Sequence, residues 1–187
     1  MRALWLLAAV SRAAQDFHLM PPRFTVSPGE RVTIEVHGVG VPGRVKDATL
    51  YAASGAYNLT NLRLDGATVL VDGTAKGPGT IILGAKAGDE FAKSLVTSGE
   101  PSEFYRHRIG HLLEIVPESL PSVFTVWYRG KPAAGVEVDL VSAAGELKSA
   151  GRTDGAGHIR IRIEGFGVYR LRAASENARA SLVFEAP

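Results

Sequence analysis

Cysteine is absent from the 187 residues, which excludes disulfides and thiolate metal sites together. A chain without cross-links must hold itself together by core burial, and one of this length can bury enough apolar surface to do so. Long apolar runs are missing beyond residue 10, so no later segment reaches the ~20 residues that a membrane-spanning helix needs. Excess charge of either sign is lacking as well, with 21 basic residues against 19 acidic ones. Setting aside Arg2 and Arg12 near the start leaves 19 against 19. A balanced chain lacks the footprint that phosphate-backbone binding demands, so nucleic acid is not an expected partner. No Gly-x-Ser-x-Gly elbow, His-Glu-x-x-His or Gly-x-x-x-x-Gly-Lys motif occurs. Carboxylates are plentiful, but none forms a pair whose spacing demands acid–base work. No enzyme activity and no catalytic residue are expected.

What is present begins with a leader. Met1-Arg2 gives a positive start, Ala3 to Val10 an apolar run, and Ser11, Ala13 and Ala14 small residues suited to a signal peptidase. Residues 1–14 are therefore read as a signal peptide, and the mature protein as periplasmic or secreted. The apolar run is too short to remain as a membrane span.

The mature chain is 45% hydrophobic over the whole sequence and carries 21 glycines and 10 prolines, a composition suited to a fold that turns often. Val32, Ile34 and Val36 alternate with polar residues after the Pro28-Gly29 turn signal. Short strands are expected at Thr49–Ala53, Thr60–Leu64, Thr68–Val71 and Thr80–Ala85, with Asp65-Gly66 and Asp72-Gly73 as hairpin turns. Asp89 to Thr97 reads as a helical turn or loop, and Phe104 to Val116 as one long or two consecutive strands. Pro117 and Pro121 bracket an expected linker. Beyond it, Thr125 to Ala173 spells strand, turn at Ala144-Gly145, turn at Thr153–Gly157, the alternating strand His158 to Glu164, and a strand from Val168. Strands this short at this spacing indicate antiparallel β-sandwiches.

Histidine is the one residue type able to carry metal chemistry here. His107 and His111 stand four apart, which on a helix places both imidazoles on one face. On a strand they stand roughly 13 Å apart, at about 3.3 Å per residue, and no single ion bridges them. His18 and His37 can meet only through the fold. His18, His37, His107 and His111 are the candidate metal ligands. His158, Arg160 and Arg162 alternate with three isoleucines to form a basic stripe, which Arg170 and Arg172 are expected to join from the next strand. Lys131, Asn177 and Glu137 are the residues that an internal Lys–Asn cross-link would use. Tyr51, Tyr57, Trp127 and Tyr128 are the aromatics available to a partner surface.

Asp16-Phe17, Pro22, Phe24, Pro28-Gly29, the Val-Thr-Ile-Glu-Val strand, Tyr105-Arg106, Gly110, Leu113-Glu-Ile-Val-Pro117 and Tyr128-Arg-Gly-Lys-Pro132 together resemble an exported bacterial family built on a domain of unknown function. Members of that family are often assigned to the periplasmic side of nickel or cobalt uptake. Gly130-Lys-Pro132 through Gly135 and Thr153 to Gly157 also resemble carboxypeptidase-regulatory and transthyretin-like modules. The resemblance implies an all-β protein of two consecutive antiparallel β-sandwiches. These are an immunoglobulin-like domain over 15–116 and a transthyretin-like domain over 117–187. It also implies a non-enzymatic accessory that binds or hands over nickel or cobalt. The alternative is an envelope interaction module that meets a protein or glycan through sheet edges and loops. Gln15 stands where the family places a histidine, so no N-terminal amine-and-imidazole site is carried over.

Overall fold

The computed structural model describes residues 17–38, 44, 45, 47–65 and 68–187; the expected leader lies outside them. Strands in chain order are β1 (His18–Met20), β2 (Thr25–Val26), β3 (Arg31–His37), β4 (Asp47–Ala52), β5 (Gly55–Asn58), β6 (Thr60–Asp65), β7 (Thr68–Thr74), β8 (Gly79–Ala87) and β9 (Glu90–Ser98). A 3-10 turn at Glu103–Arg106 follows. The remainder are β10 (Leu113–Ser119), β11 (Val123–Tyr128), β12 (Lys131–Pro132), β13 (Glu137–Val141), β14 (Leu147–Arg152), β15 (His158–Arg160), β16 (Gly167–Ser175) and β17 (Ala178–Ala186). The described protein is all-β, as its turn-rich composition requires.

Three sheets form. One has the order β1-β3-β7-β6, a second joins β10, β11 and β12 with β15 beside β11, and a nine-stranded sheet runs β14-β13-β16-β17-β9-β8-β4-β5 with β2 beside β9. Pairing is antiparallel except where β9 meets β17 and β2. Alternation along the long sheet divides its faces between two cores. Ile81 and Leu83 join Ile34, Val36 and Val71 under the first sheet. Their neighbours Ile82 and Leu95 join Phe124, Leu171 and Leu182 under the second. The long sheet is thus a wall common to two sandwiches, each closed from an opposite side.

Several expectations change. Asp89 to Thr97 is not a helical turn or loop but the central strand β9. Its residues lack alternation because both faces are buried, Phe91 and Leu95 on one side and Ala92 and Val96 on the other. Phe104 to Val116 is strand only from Leu113; the segment before it is the 3-10 turn and an irregular loop. Asp72-Gly73 is no hairpin turn, since both residues lie inside β7. Asp72 is buried there and accepts hydrogen bonds from Arg31, Thr33 and Arg63 at 2.8–3.0 Å. A Cβ at Gly73 would come within 2.9 Å of a Leu59 methyl, so the missing side chain serves packing. The expected linker at Pro117 to Pro121 is the end of β10 and a hairpin turn into β11. A final strand, β17, follows the one expected to close the fold.

β17 lies at the seam of the long sheet and its Leu182 is fully buried. Leu182→Ala should cost about 2–5 kcal/mol, the usual range for a buried leucine. Because β17 pairs with both β16 and β9, chemical denaturation followed by circular dichroism should show one transition at a lower midpoint rather than early loss of one half.

Candidate functional site

Two groups of chemistry-bearing side chains emerge, one at the surface and one buried. The surface group, half-buried apart from exposed Glu35, is on the ladder between β1 and β3. Register places His18 opposite His37 and Met20 opposite Glu35, with buried Leu19 and Val36 between them. Since side chains alternate, His18, Met20, Glu35 and His37 occupy one face as a two-by-two block. The imidazoles stack with ring centroids 4.9 Å apart and planes 16° from parallel. His37 Nε2 lies 2.9 Å from Glu35 Oε2; a carboxylate only accepts, so this nitrogen carries the proton and Nδ1 the lone pair. Arg170 on β16 places Nη1 2.7 Å from His18 Nδ1. A guanidinium only donates, so Nδ1 is the acceptor. Beside the block opens a cleft of about 630 Å³ whose lining includes Met20, Glu35, Val168 and Glu185.

The buried group is an ion pair. Lys93 on β9 and Glu114 on β10 are 1% and 0% exposed, with Nζ 2.8 Å from Oε1. Register sets Lys93 beside Leu182 and Gly84, where the amine would be stranded without a partner. Glu114 also accepts the backbone N–H of Ile109 at 2.8 Å and of Gly110 at 2.9 Å. Gly110 adopts φ of +94°, a conformation that glycine takes at little cost. Burial alone would raise the Glu114 carboxyl; the Lys93 charge and the two amides outweigh it and hold it below the ordinary range. Burial pulls the Lys93 amine down, and Glu114 opposes that shift. Three donors on one carboxylate favour the ionised pair. Gly84 makes room at this spot, since a Cβ would stand 3.1 Å from the Tyr51 ring and 3.2 Å from Phe91.

The four predicted ligands therefore divide. His18 and His37 meet. His107 is exposed and stacks on Phe104 at 4.8 Å, while half-buried His111 stacks on Phe91 at 3.6 Å. Burial lowers the His111 pKa against the opposing charge of Glu114, and Lys86 and Lys93 add to the lowering. Both lie in the irregular loop ahead of β10, neither on a helix nor on a strand. Among the described residues no three His, Asp or Glu side chains are grouped to hold an ion. The basic stripe also divides: His158 and Arg160 belong to β15 in the sheet of β11, Arg162 lies just beyond it, and Arg170 and Arg172 project from β16 in the long sheet. Lys131 and Asn177 are exposed, and Glu137 pairs with Arg152. Tyr51, Tyr57, Trp127 and Tyr128 are all partly buried; Arg108 covers the Trp127 ring at 4.4 Å and Tyr128 donates to Glu176. Met20 and Glu35 escaped the sequence reading, although His18-x-Met20 and Glu35-x-His37 each have the two-residue spacing of one strand face.

These features define a double β-sandwich with an imidazole pair on one sheet and a buried cation–carboxylate clamp between strands β9 and β10. The chain belongs to the family described as Domain of unknown function (DUF4198), whose model matches residues 13–177. No curated protein matches it. Among solved structures it is similar to the D0-D1 domain of intimin, at 14% identity over 91% of this chain and 98% of that one, TM-score 0.29. It is also similar to the titin domains Z1Z2 in complex with telethonin, at 13% identity over 91% and 92%, TM-score 0.27. A third likeness is to the BSP domain of a biofilm-associated protein, at 12% identity over 90% of this chain and 30% of that one, TM-score 0.30. Likenesses at these scores carry no argument; the fold rests on the strands and registers above.

Lys93→Met should destabilise the protein by about 3–5 kcal/mol, because it leaves a buried carboxylate without its cation, and hydrogen exchange should show the amides of Ile109 and Gly110 opening first. A pH dependence follows from the same carboxylates. Thr33 and Arg31 chiefly hold the Asp72 carboxyl low, as the Lys93 charge and two amides do for Glu114. A carboxyl depressed by folding lends stability that is complete above its unfolded pKa and is lost as pH falls through the folded one. Acid titration of thermal stability should therefore fall below the ordinary carboxylate range, and Asp72→Asn should flatten that limb.

Proposed function

We propose that the protein is a non-enzymatic accessory of the cell envelope that captures a transition-metal ion at the His18–His37 pair. The observation that carries this reading is the meeting of two imidazoles, nineteen positions apart in sequence, across one rung of an antiparallel ladder at 4.9 Å. Imidazole is the protein ligand that suits zinc, copper, nickel and iron alike. Glu35 gives His37 the carboxylate partner that metal-bound histidines commonly have. Nickel and cobalt are the ions that the family resemblance implies. Export through the leader would place the face where it meets ions outside the cytoplasm.

A second reading, an interaction module, has its own support. Phe166 is 73% exposed and Leu147 49%, and Leu147 opens β14, the terminal strand of the long sheet. An apolar side chain on a strand that ends the sheet among the described residues suits a partner that adds a strand.

Titration calorimetry of the leaderless protein with nickel, cobalt, zinc and copper(II) at pH 7.5 separates the two. Micromolar or tighter binding of an ion, abolished in His37→Ala, is the expected result. Absence of heat with every ion, and with copper(I) titrated separately under reducing conditions, would sink metal capture and leave the interaction module.

A further inference from the structure

We propose that the ion this face selects is copper(I), held by His18, His37 and the thioether of Met20; the proposal rests on the metal-capture reading and specifies its ion. Three observations converge. First, Met20 shares the outward face with both imidazoles. It is two residues from His18 along β1 and diagonal to His37 across the ladder, a separation of roughly 7–8 Å that long side chains bridge. A thioether on three rotatable bonds is a soft, adaptable donor, and soft donors select copper(I) over nickel and cobalt.

Second, a cation already stands at the His18 nitrogen. The Arg170 guanidinium lies 2.7 Å from His18 Nδ1. That nitrogen holds the one lone pair of the neutral ring, so an ion bound by His18 must displace the guanidinium to a nearby position. Repulsion grows in proportion to the charge of the ion, so a monovalent cation meets half the opposition that a divalent one does. Glu35 and Glu185, which border the same face, offset part of this, and Glu35 is also engaged with His37 Nε2. That bond leaves Nδ1 of His37 as the coordinating nitrogen.

Third, the hard donor set is short. Among the described residues no three His, Asp or Glu side chains are arranged to hold an ion, and Glu35 turns to His37 Nε2 instead. Nickel and cobalt would have to complete their shells largely with water. Two imidazoles and one thioether, by contrast, already make a soft three-donor site.

The test uses the leaderless chain under anaerobic, reducing conditions, with copper(I) competed against a chromophoric copper(I) chelator and with nickel(II) and cobalt(II) followed by calorimetry. Copper(I) is expected to bind more tightly than either divalent ion. Met20→Leu, which keeps the volume, should weaken copper(I) by at least the roughly tenfold that even an outer-shell partner commands, with nickel affinity and the circular dichroism spectrum unchanged. Only two methionines exist, Met1 and Met20, so in a protein cleaved of its leader a single Sδ-methyl resonance should shift on adding copper(I). Equal copper(I) affinity in Met20→Leu, an unmoved methyl signal, or tighter binding of nickel or cobalt would overturn the copper(I) assignment and leave metal capture standing. Failure of every ion to bind would overturn both.

Discussion

Parallel pairing of β17 with β9 is the constraint on which the remaining architecture depends. The register sets Leu182 beside Lys93 and Ala180 beside Phe91, so one strand from late in the chain joins the sheet of the first half to that of the second. Without it the long wall would break between β9 and β16. The two cores would then lose the surface that each closes on. Parallel ladders need long crossovers and are buried where they occur, and Ser94, Leu182 and Val183 are all essentially inaccessible.

A lysine in that seam is the surprising element. Replacing such pairs by apolar residues is often neutral or favourable in other proteins, so stability alone does not account for Lys93. Its partner Glu114 begins the path from loop to β10 and gathers two loop amides as well as the amine. The clamp therefore fixes where the loop ends and the second core begins. The imidazole face has a different character. It is built on the short ladder of β1 and β3, and Arg170 reaches it from the long sheet. One cluster positions the halves, and the other is left at the surface, open to solutes.

Sequence reading succeeded where alternation or a β-branched apolar run marked a strand, as in β3 and β8, and failed at β9. β3 was legible because Val32, Ile34 and Val36 alternate with Thr33 and Glu35. β9 was not, because Phe91, Ala92, Lys93, Ser94 and Leu95 are buried without a break, and a period of two disappears when neither side is polar. Lys93 made matters worse, since a charge in a short apolar run reads as exposed. The histidines show the same divide. Spacing of four drew attention to His107 and His111, which the loop holds apart from the imidazole pair. His18 and His37 carried no local signal because the ladder that joins them is a long-range pairing, and its register cannot be read from either strand alone.

The position of β17 also bears on time. A ribosome completes β9 long before it reaches the strand that pairs with that edge. Until then Phe91 to Val96 presents an apolar, hydrogen-bond-hungry border, and contacts this distant in sequence form slowly. A chain with its keystone last stays unlocked while it is being made. That delay exposes it to strand-to-strand capture by its neighbours, so a holding chaperone has the most to offer in that interval.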